Sequence, residues 1–148
     1  MRAETRIEVE RPIEDVWAFV ADIENMGQWV DGVSEPRMSN GNDMGEGATF
    51  TSKYTYGGKT HTLDYEVTAY KPPKRLAMRS TEGPFPFDGE LDLETVGGGT
   101  LVTNTIDAGS DGTFTTVMVA LFGPVLRMMM RRRLHQELVS LKGILEGS

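Results

Sequence analysis

From Val33 to Asp107 apolar residues recur with a period of two, and from Thr113 to Glu146 mostly at four-residue steps. That succession, a run of strands closed by one long helix, limits the possible folds more than any other feature of the sequence. Ala48, Phe50, Ser52, Tyr54 and Tyr56 alternate with Thr49, Thr51, Lys53 and Thr55. His61, Leu63, Tyr65 and Val67 alternate with Thr60, Thr62, Asp64, Glu66 and Thr68. Leu76, Met78 and Ser80 face away from Ala77, Arg79 and Thr81, and Phe85, Phe87, Gly89, Leu91 and Leu93 oppose Asp88, Glu90, Asp92 and Glu94. Thr100 to Asp107 reads as the last strand. Successive side chains of a strand point to opposite faces, so each segment has one apolar and one polar side, as in an antiparallel sheet with one wet face. Gly57-Gly58 and Gly97-Gly98-Gly99 are hairpin signals, and Pro72-Pro73 ends a strand because proline cannot donate to the ladder.

Thr5 to Glu10 alternates as a short first strand. Pro12 suits the first position of a helix, with Glu14 and Asp15 placed favourably for its dipole. Ile13, Val16, Trp17 and Val20 then fall on one helical face. Asp22 can cap a second short helix through Trp29, closed by Asp31-Gly32. The last helix, Thr113 to Glu146, carries Phe122, Leu126, Met130, Leu134, Leu138, Leu141 and Leu145 mostly at four-residue steps, and Gly123-Pro124 predicts a kink or a short break in it. The order is β-α-α-β6-α, an α+β chain of 148 residues expected to form one domain over 1–148, its curved antiparallel sheet of about seven strands wrapped around a long C-terminal helix.

A single helix about 10–12 Å across cannot fill the hollow of a six- or seven-stranded curled sheet. What is left must be filled by large side chains or stay open. Several inward positions are small or polar: Ser52, Ser80, Gly89, His61 and Asn104. Small residues leave volume and buried polar ones need partners, which is how a small-molecule site is built. The expected lining is Phe50, Ser52, Tyr54, His61, Leu63, Tyr65, Met78, Ser80, Phe87, Asn104, Phe122, Leu126 and Met130. In the competing reading, Phe50, Tyr54, Tyr65, Phe85 and Phe87 close the space. His61 is a weak candidate general base, since histidine titrates near neutrality; with no carboxylate obviously on its face, a structural hydrogen bond to a neighbouring strand or to Tyr54 suits it better. Tyr54, Tyr56 and Tyr65 suit an aromatic ligand or plain core packing. Asn104 is inside if Val102 and Ile106 are, and outside if Leu101, Thr103 and Thr105 are; a one-residue slip decides it.

Composition removes other possibilities. There is no cysteine, hence no disulfide, thiol nucleophile or thiolate metal site, and two separated histidines give no metal-ligand pattern. A net charge of −7 argues against nucleic acid as a partner. No apolar run has the length of a membrane span, no signal segment follows Met1, and a cytoplasmic protein is expected. Arg127, Arg131, Arg132 and Arg133 form the one basic cluster, read as a solvated face or as a contact for acidic headgroups or an acidic partner. Leu121, Val125 and Met128 fall on the side of the helix opposite Met130, Leu134 and Leu141; they either lie under their own chain or form a pocket mouth or a homodimer patch.

The segments IEVERPIEDVWAFVADIENMGQW, YEVTAYKPPKRLAMRS and LFGPVLRMMMRRRLHQELVSLKGILE resemble the SRPBCC superfamily, the START-related helix-grip group, and within it the polyketide cyclase/dehydrase and lipid-transport-like branch. The likeness spans essentially the whole chain. It implies a helix-grip fold and a hydrophobic ligand such as a lipid, a polyketide or an aromatic ring compound, held between sheet and final helix. It implies no cofactor, and it transfers no catalytic residue to this sequence. Binding or transport of such a ligand is the leading expectation. A polyketide-type cyclase or dehydratase is the alternative, and a protein- or membrane-interaction module the second alternative.

Overall fold

The computed structural model of the chain describes residues 2–39, 43–56, 58–82, 86–108 and 113–147, with side chains for all of these but Tyr56, residues 113–124 and Leu126. Strand β1 (Arg2–Val9) is followed by helix α1 (Ile13–Val20), a 3₁₀ turn (Ile23–Asn25) and helix α2 (Met26–Trp29). Then come β2 (Val33–Met38), β3 (Thr49–Tyr56), β4 (Lys59–Lys71), β5 (Arg75–Glu82), β6 (Phe87–Val96), β7 (Gly99–Ala108) and helix α3 (Thr113–Glu146). The seven strands form one antiparallel sheet in the order β1-β7-β6-β5-β4-β3-β2, with α3 packed across it. This is the helix-grip architecture. The helix continues through Gly123-Pro124 without the short break that the sequence allowed there.

Local chemistry accounts for the element ends. Pro12 stands at the cap of α1, and Ile13, Val16, Trp17 and Val20 are its buried face. Asp22 caps the 3₁₀ turn by accepting the Glu24 N–H at 3.1 Å. The β6–β7 hairpin closes on Gly97-Gly98, Val96 pairing with Gly99, and Gly97 takes the positive φ of 59° that the first position of a II′ turn requires.

Pairing fixes the register. On β7, Val102 lies opposite Ile7 of β1 and Leu93 of β6, and is fully buried. Asn104, two residues on, therefore faces in with it, which resolves the register left open by the sequence. The inner face packs on the buried stripe of α3, with Leu138 and Leu141 fully enclosed.

The C-terminal half of α3 is tied to the end of β1 and the β1–α1 link by polar contacts. Lys142 Nζ donates to the Glu8 carbonyl at 2.7 Å, Glu146 Oε2 accepts the Glu10 N–H at 2.8 Å, and Arg11 Nε donates to the Leu145 carbonyl at 2.9 Å. The same link meets β7, where Thr100 Oγ1 donates to the Arg11 carbonyl at 2.8 Å. Strand β7 can approach this closely because Gly99 has no side chain: a Cβ there would stand 2.6 Å from the Val9 carbonyl oxygen. Gly99→Ala is accordingly expected to lower stability by about 1–3 kcal/mol, a backbone clash that only a shift of the sheet can relieve. Gly98→Ala, with nothing within 4 Å, should stay within about 0.5 kcal/mol of the parent. Urea unfolding of the two variants separates these outcomes.

Candidate ligand cavity

Between the inner face of the sheet and α3 lies an apolar cavity of about 410 Å³, within the size range of small-molecule sites. Leu63 and Tyr65 of β4, Tyr54 of β3, Met78 of β5, Phe87 of β6 and Ile106 of β7 form its sheet side. Met26 and Val33 close it from the α2–β2 region, and Met130, Arg133, Leu134 and Glu137 from α3. A smaller chamber of about 100 Å³ adjoins it, sharing Met26, Met78, Phe87, Ile106, Leu134 and Glu137 and reaching Trp29, Gly89, Leu91 and Asn104. Gly89 contributes to this volume directly, since a Cβ built there would come no nearer to anything than 3.8 Å from Met78 Cγ.

The aromatic wall is ordered from behind. Phe50 and Tyr65 are cross-strand partners whose rings stack at 4.3 Å and 8°, and Tyr65 meets Phe87 edge-on at 6.0 Å. The Tyr65 hydroxyl is hydrogen bonded to Ser52 Oγ at 2.7 Å, and burial keeps it neutral by raising its pKa. Ser80 Oγ accepts the Phe87 N–H at 2.9 Å and so sets the start of β6.

These contacts sort the residues expected to line the site. Tyr54, Leu63, Tyr65, Met78, Phe87 and Met130 come together around the larger space, and Asn104 borders the smaller one. Phe50 and Ser52 stand behind Tyr65 rather than at the surface of the cavity. Ser80 supports Phe87 without lining it. His61 is a correction. It shares the parity of Leu63 and Tyr65, but lies near the hairpin end of β4 opposite Tyr54, where its side chain is exposed and outside the lining. Alternation assigns a face and says nothing of depth along it. The side chains of Phe122 and Leu126 lie outside the described residues.

Sequence reasoning missed the polar end of the cavity. Glu137 is only 7% exposed and borders both chambers. Its Oε2 accepts the Asp31 N–H at 3.0 Å, while Arg133 Nε stands 3.9 Å away. Arg133 donates to the Asp31 carbonyl at 3.1 Å, lies 3.4 Å from Asp31 Oδ2 and caps the Tyr54 ring at 5.4 Å. Arg133 therefore belongs to the cavity wall, a correction to its reading as one of four solvated arginines; Arg127, Arg131 and Arg132 are exposed. Val33, Arg133 and Glu137 also line an open polar cleft of about 420 Å³, so the Asp31–Arg133–Glu137 group is the partition between cavity and exterior. A signal for both residues was present in the spacing: Arg133 and Glu137 follow Met130 and Leu134 by three and precede Glu137 and Leu141 by four, on the apolar stripe itself. Trp29 Nε1, beside this group in the chain, is buried without a hydrogen-bond partner among the described residues.

On the opposite side of α3, Val125 and Met128 are exposed, as is Met129; Leu121 lies outside the described side chains. Among the described residues there is no cluster of His, Cys, Asp or Glu able to hold a metal ion, and no helix long and apolar enough to cross a membrane.

Residues 1–146 match the family described as polyketide cyclase / dehydrase and lipid transport, and the chain belongs to that family. Solved structures with the same fold include a protein of Thermus thermophilus (TM-score 0.79, 17% identity, 99% of this chain and 98% of that one). A START superfamily protein from Mycobacterium smegmatis superposes with a TM-score of 0.76 at 15% identity, over 99% and 97% of the two chains. The Zhui aromatase/cyclase from Streptomyces sp. R1128 does so with 0.71 at 16%, over 99% and 93%. No curated protein matches the sequence.

Burial dominates the Glu137 carboxyl and raises its pKa from 4.5 to about 7, against the lowering effects of the Asp31 N–H and Arg133. The folded protein thus holds this proton more tightly than the unfolded chain. Between pH 4.5 and about 7 the native state carries the extra proton, so stability falls as pH rises through that window and the loss is complete above it. The displacement corresponds to roughly 3 kcal/mol. Glu90, whose pKa is also raised, chiefly by burial, acts in the same direction, so the difference between two proteins is the useful quantity. Glu137→Gln should gain on the parent by up to about 3 kcal/mol between pH 4.5 and pH 8. Parallel stability-versus-pH curves for the two would contradict the placement of this carboxyl.

Proposed function

We propose that the protein binds or carries a small hydrophobic molecule, such as a lipid, a polyketide or an aromatic ring compound, in the cavity between the sheet and α3. The observation that carries this reading is the apolar volume of about 410 Å³ left between two faces that otherwise pack closely. Apolar burial, at about 25 cal/mol per Å², would drive binding. Stacked and edge-on aromatics suit a planar ring, and methionines at positions 26, 78 and 130 can adapt to its outline. Membership of a family whose description includes lipid transport agrees with it. The cysteine-free composition is compatible with action in the cytoplasm.

The family description also includes cyclases and dehydrases, and the same cavity would serve an enzyme of that kind if it held an acid–base group. His61, exposed near the hairpin, does not supply one.

Met78 borders both chambers, and Met78→Trp should fill the space. The neutral fluorophore N-phenyl-1-naphthylamine is expected to brighten on binding the parent, and to bind Met78→Trp at least about tenfold more weakly (about 1.4 kcal/mol). Met128→Trp, on the exposed side of α3, should bind as the parent does. Native mass spectrometry of gently purified protein should show a co-purified small molecule. Equal affinity in all three proteins would place the dye elsewhere and remove the cavity reading.

A further inference from the structure

Resting on the cavity reading above, we propose that Glu137 acts as a general base there, removing a carbon-bound proton from an apolar ligand whose C–H is activated by a neighbouring carbonyl or comparable electron-withdrawing group. Three geometric facts support the assignment. Glu137 is the one carboxylate lining the larger cavity among the described residues, and every other lining residue except Arg133 is uncharged. Its Oε2 is held by the Asp31 N–H at 3.0 Å, which fixes the carboxylate plane, while Oε1 has no hydrogen bond among the described residues. Arg133, the one cation at hand, is spread over the Asp31 carbonyl, the Asp31 carboxylate and the Tyr54 ring, and at 3.9 Å makes no close pair with Glu137. A carboxylate that is oriented, weakly paired and poorly hydrated is more basic than one in water.

The step needs no co-reactant. Glu137 Oε1 takes the proton, the C–H electron pair enters the carbonyl as an enolate, and the resulting carboxylic acid returns the proton to the same or a conjugated carbon. The ligand leaves as its isomer and the carboxylate is restored. Desolvation, which sets the Glu137 pKa near 7, supports the assignment by leaving a substantial fraction of a strengthened base at neutral pH. The other titratable groups facing it are Asp31 from the α2–β2 loop, Arg133 on α3, Tyr54 on β3 and Tyr65 on β4; Glu90 of β6 borders the smaller chamber, but its carboxylate pairs with Arg75 on the outer face of the sheet.

The test uses 5-nitro-1,2-benzisoxazole, a flat apolar carbon acid. Removal of its C3 proton sends the C–H electrons into the forming nitrile and breaks the N–O bond, releasing a coloured phenolate. The full-length protein should accelerate this reaction, with a rate that rises through pH about 7 to a plateau. N-phenyl-1-naphthylamine should inhibit it competitively. Glu137→Gln should lose about 10²-fold or more in kcat, with the apparent affinity for the benzisoxazole, read by displacement of the dye, changed less than about twofold. Glu137→Asp, which keeps the carboxylate but withdraws it, should retain part of the rate; it and the parent's pH profile carry the test if the Gln variant does not fold. If the benzisoxazole displaces the dye yet the parent gives no acceleration, or the Gln variant is equally fast, the base assignment is overturned and the cavity reading stands. If neither the dye nor the benzisoxazole binds, the cavity reading falls and the base assignment with it.

Discussion

The structure depends on how α3 is held across the hollow of the sheet. A helix packed tightly along its whole length would leave no space, and a helix held only by apolar contact would settle until it did so. Here polar ties fix the C-terminal half of the helix at two places. Lys142, Leu145 and Glu146 are bound to the end of β1 and the β1–α1 link, and Arg133 and Glu137 to Asp31 of the α2–β2 loop. Between the first group and the sheet, Leu138 and Leu141 fill the space completely. At the second group the helix borders the cavity, through Met130 and Leu134 as well as Arg133 and Glu137.

The second tie carries a thermodynamic cost that the first does not. Lys142 and Glu146 meet at the surface, where an ion pair changes stability little. Glu137 is buried, and its carboxyl is penalised by desolvation that one backbone donor and a distant guanidinium do not offset. Gln at this position would keep an acceptor for the Asp31 N–H without that desolvation penalty. A carboxyl kept in an apolar cavity at a loss of stability is the kind of group that binding and catalytic sites hold.

Much of the fold was legible in the sequence because its signals are periodic. Alternation gave the strands, Gly97-Gly98 and Pro72-Pro73 their limits, and the four-residue spacing the helix. The lining was legible only in part, for reasons that differ from residue to residue. Asn104 needed a register that depends on partners in two other strands, Ile7 and Leu93 opposite Val102. Phe50 and Ser52 have the right face, but Tyr65 covers them, and whether one inward ring hides another depends on the curl of the sheet. Met26, Trp29 and Val33 enter from the α2–β2 region, whose docking over the sheet has no periodic signal.

Glu137 and Arg133 were hidden for the opposite reason. Hydrophobic patterning counts charged residues as markers of the outer face, and Arg133 ends a run of three arginines of which two are exposed. Yet at 100° per residue Arg131 and Arg132 precede Arg133 by 200° and 100°, so one member of a continuous run must turn away from the others. Once Met130 and Leu134 are placed inward, Arg133 and Glu137 follow from their spacing. Their four-residue separation then lets both reach Asp31, and the loop that carries Asp31 is the one that closes the cavity. The charges on the apolar stripe thus act together: the arginine and the glutamate both hold the Asp31 loop on the helix, and the glutamate stands between the apolar cavity and the open cleft.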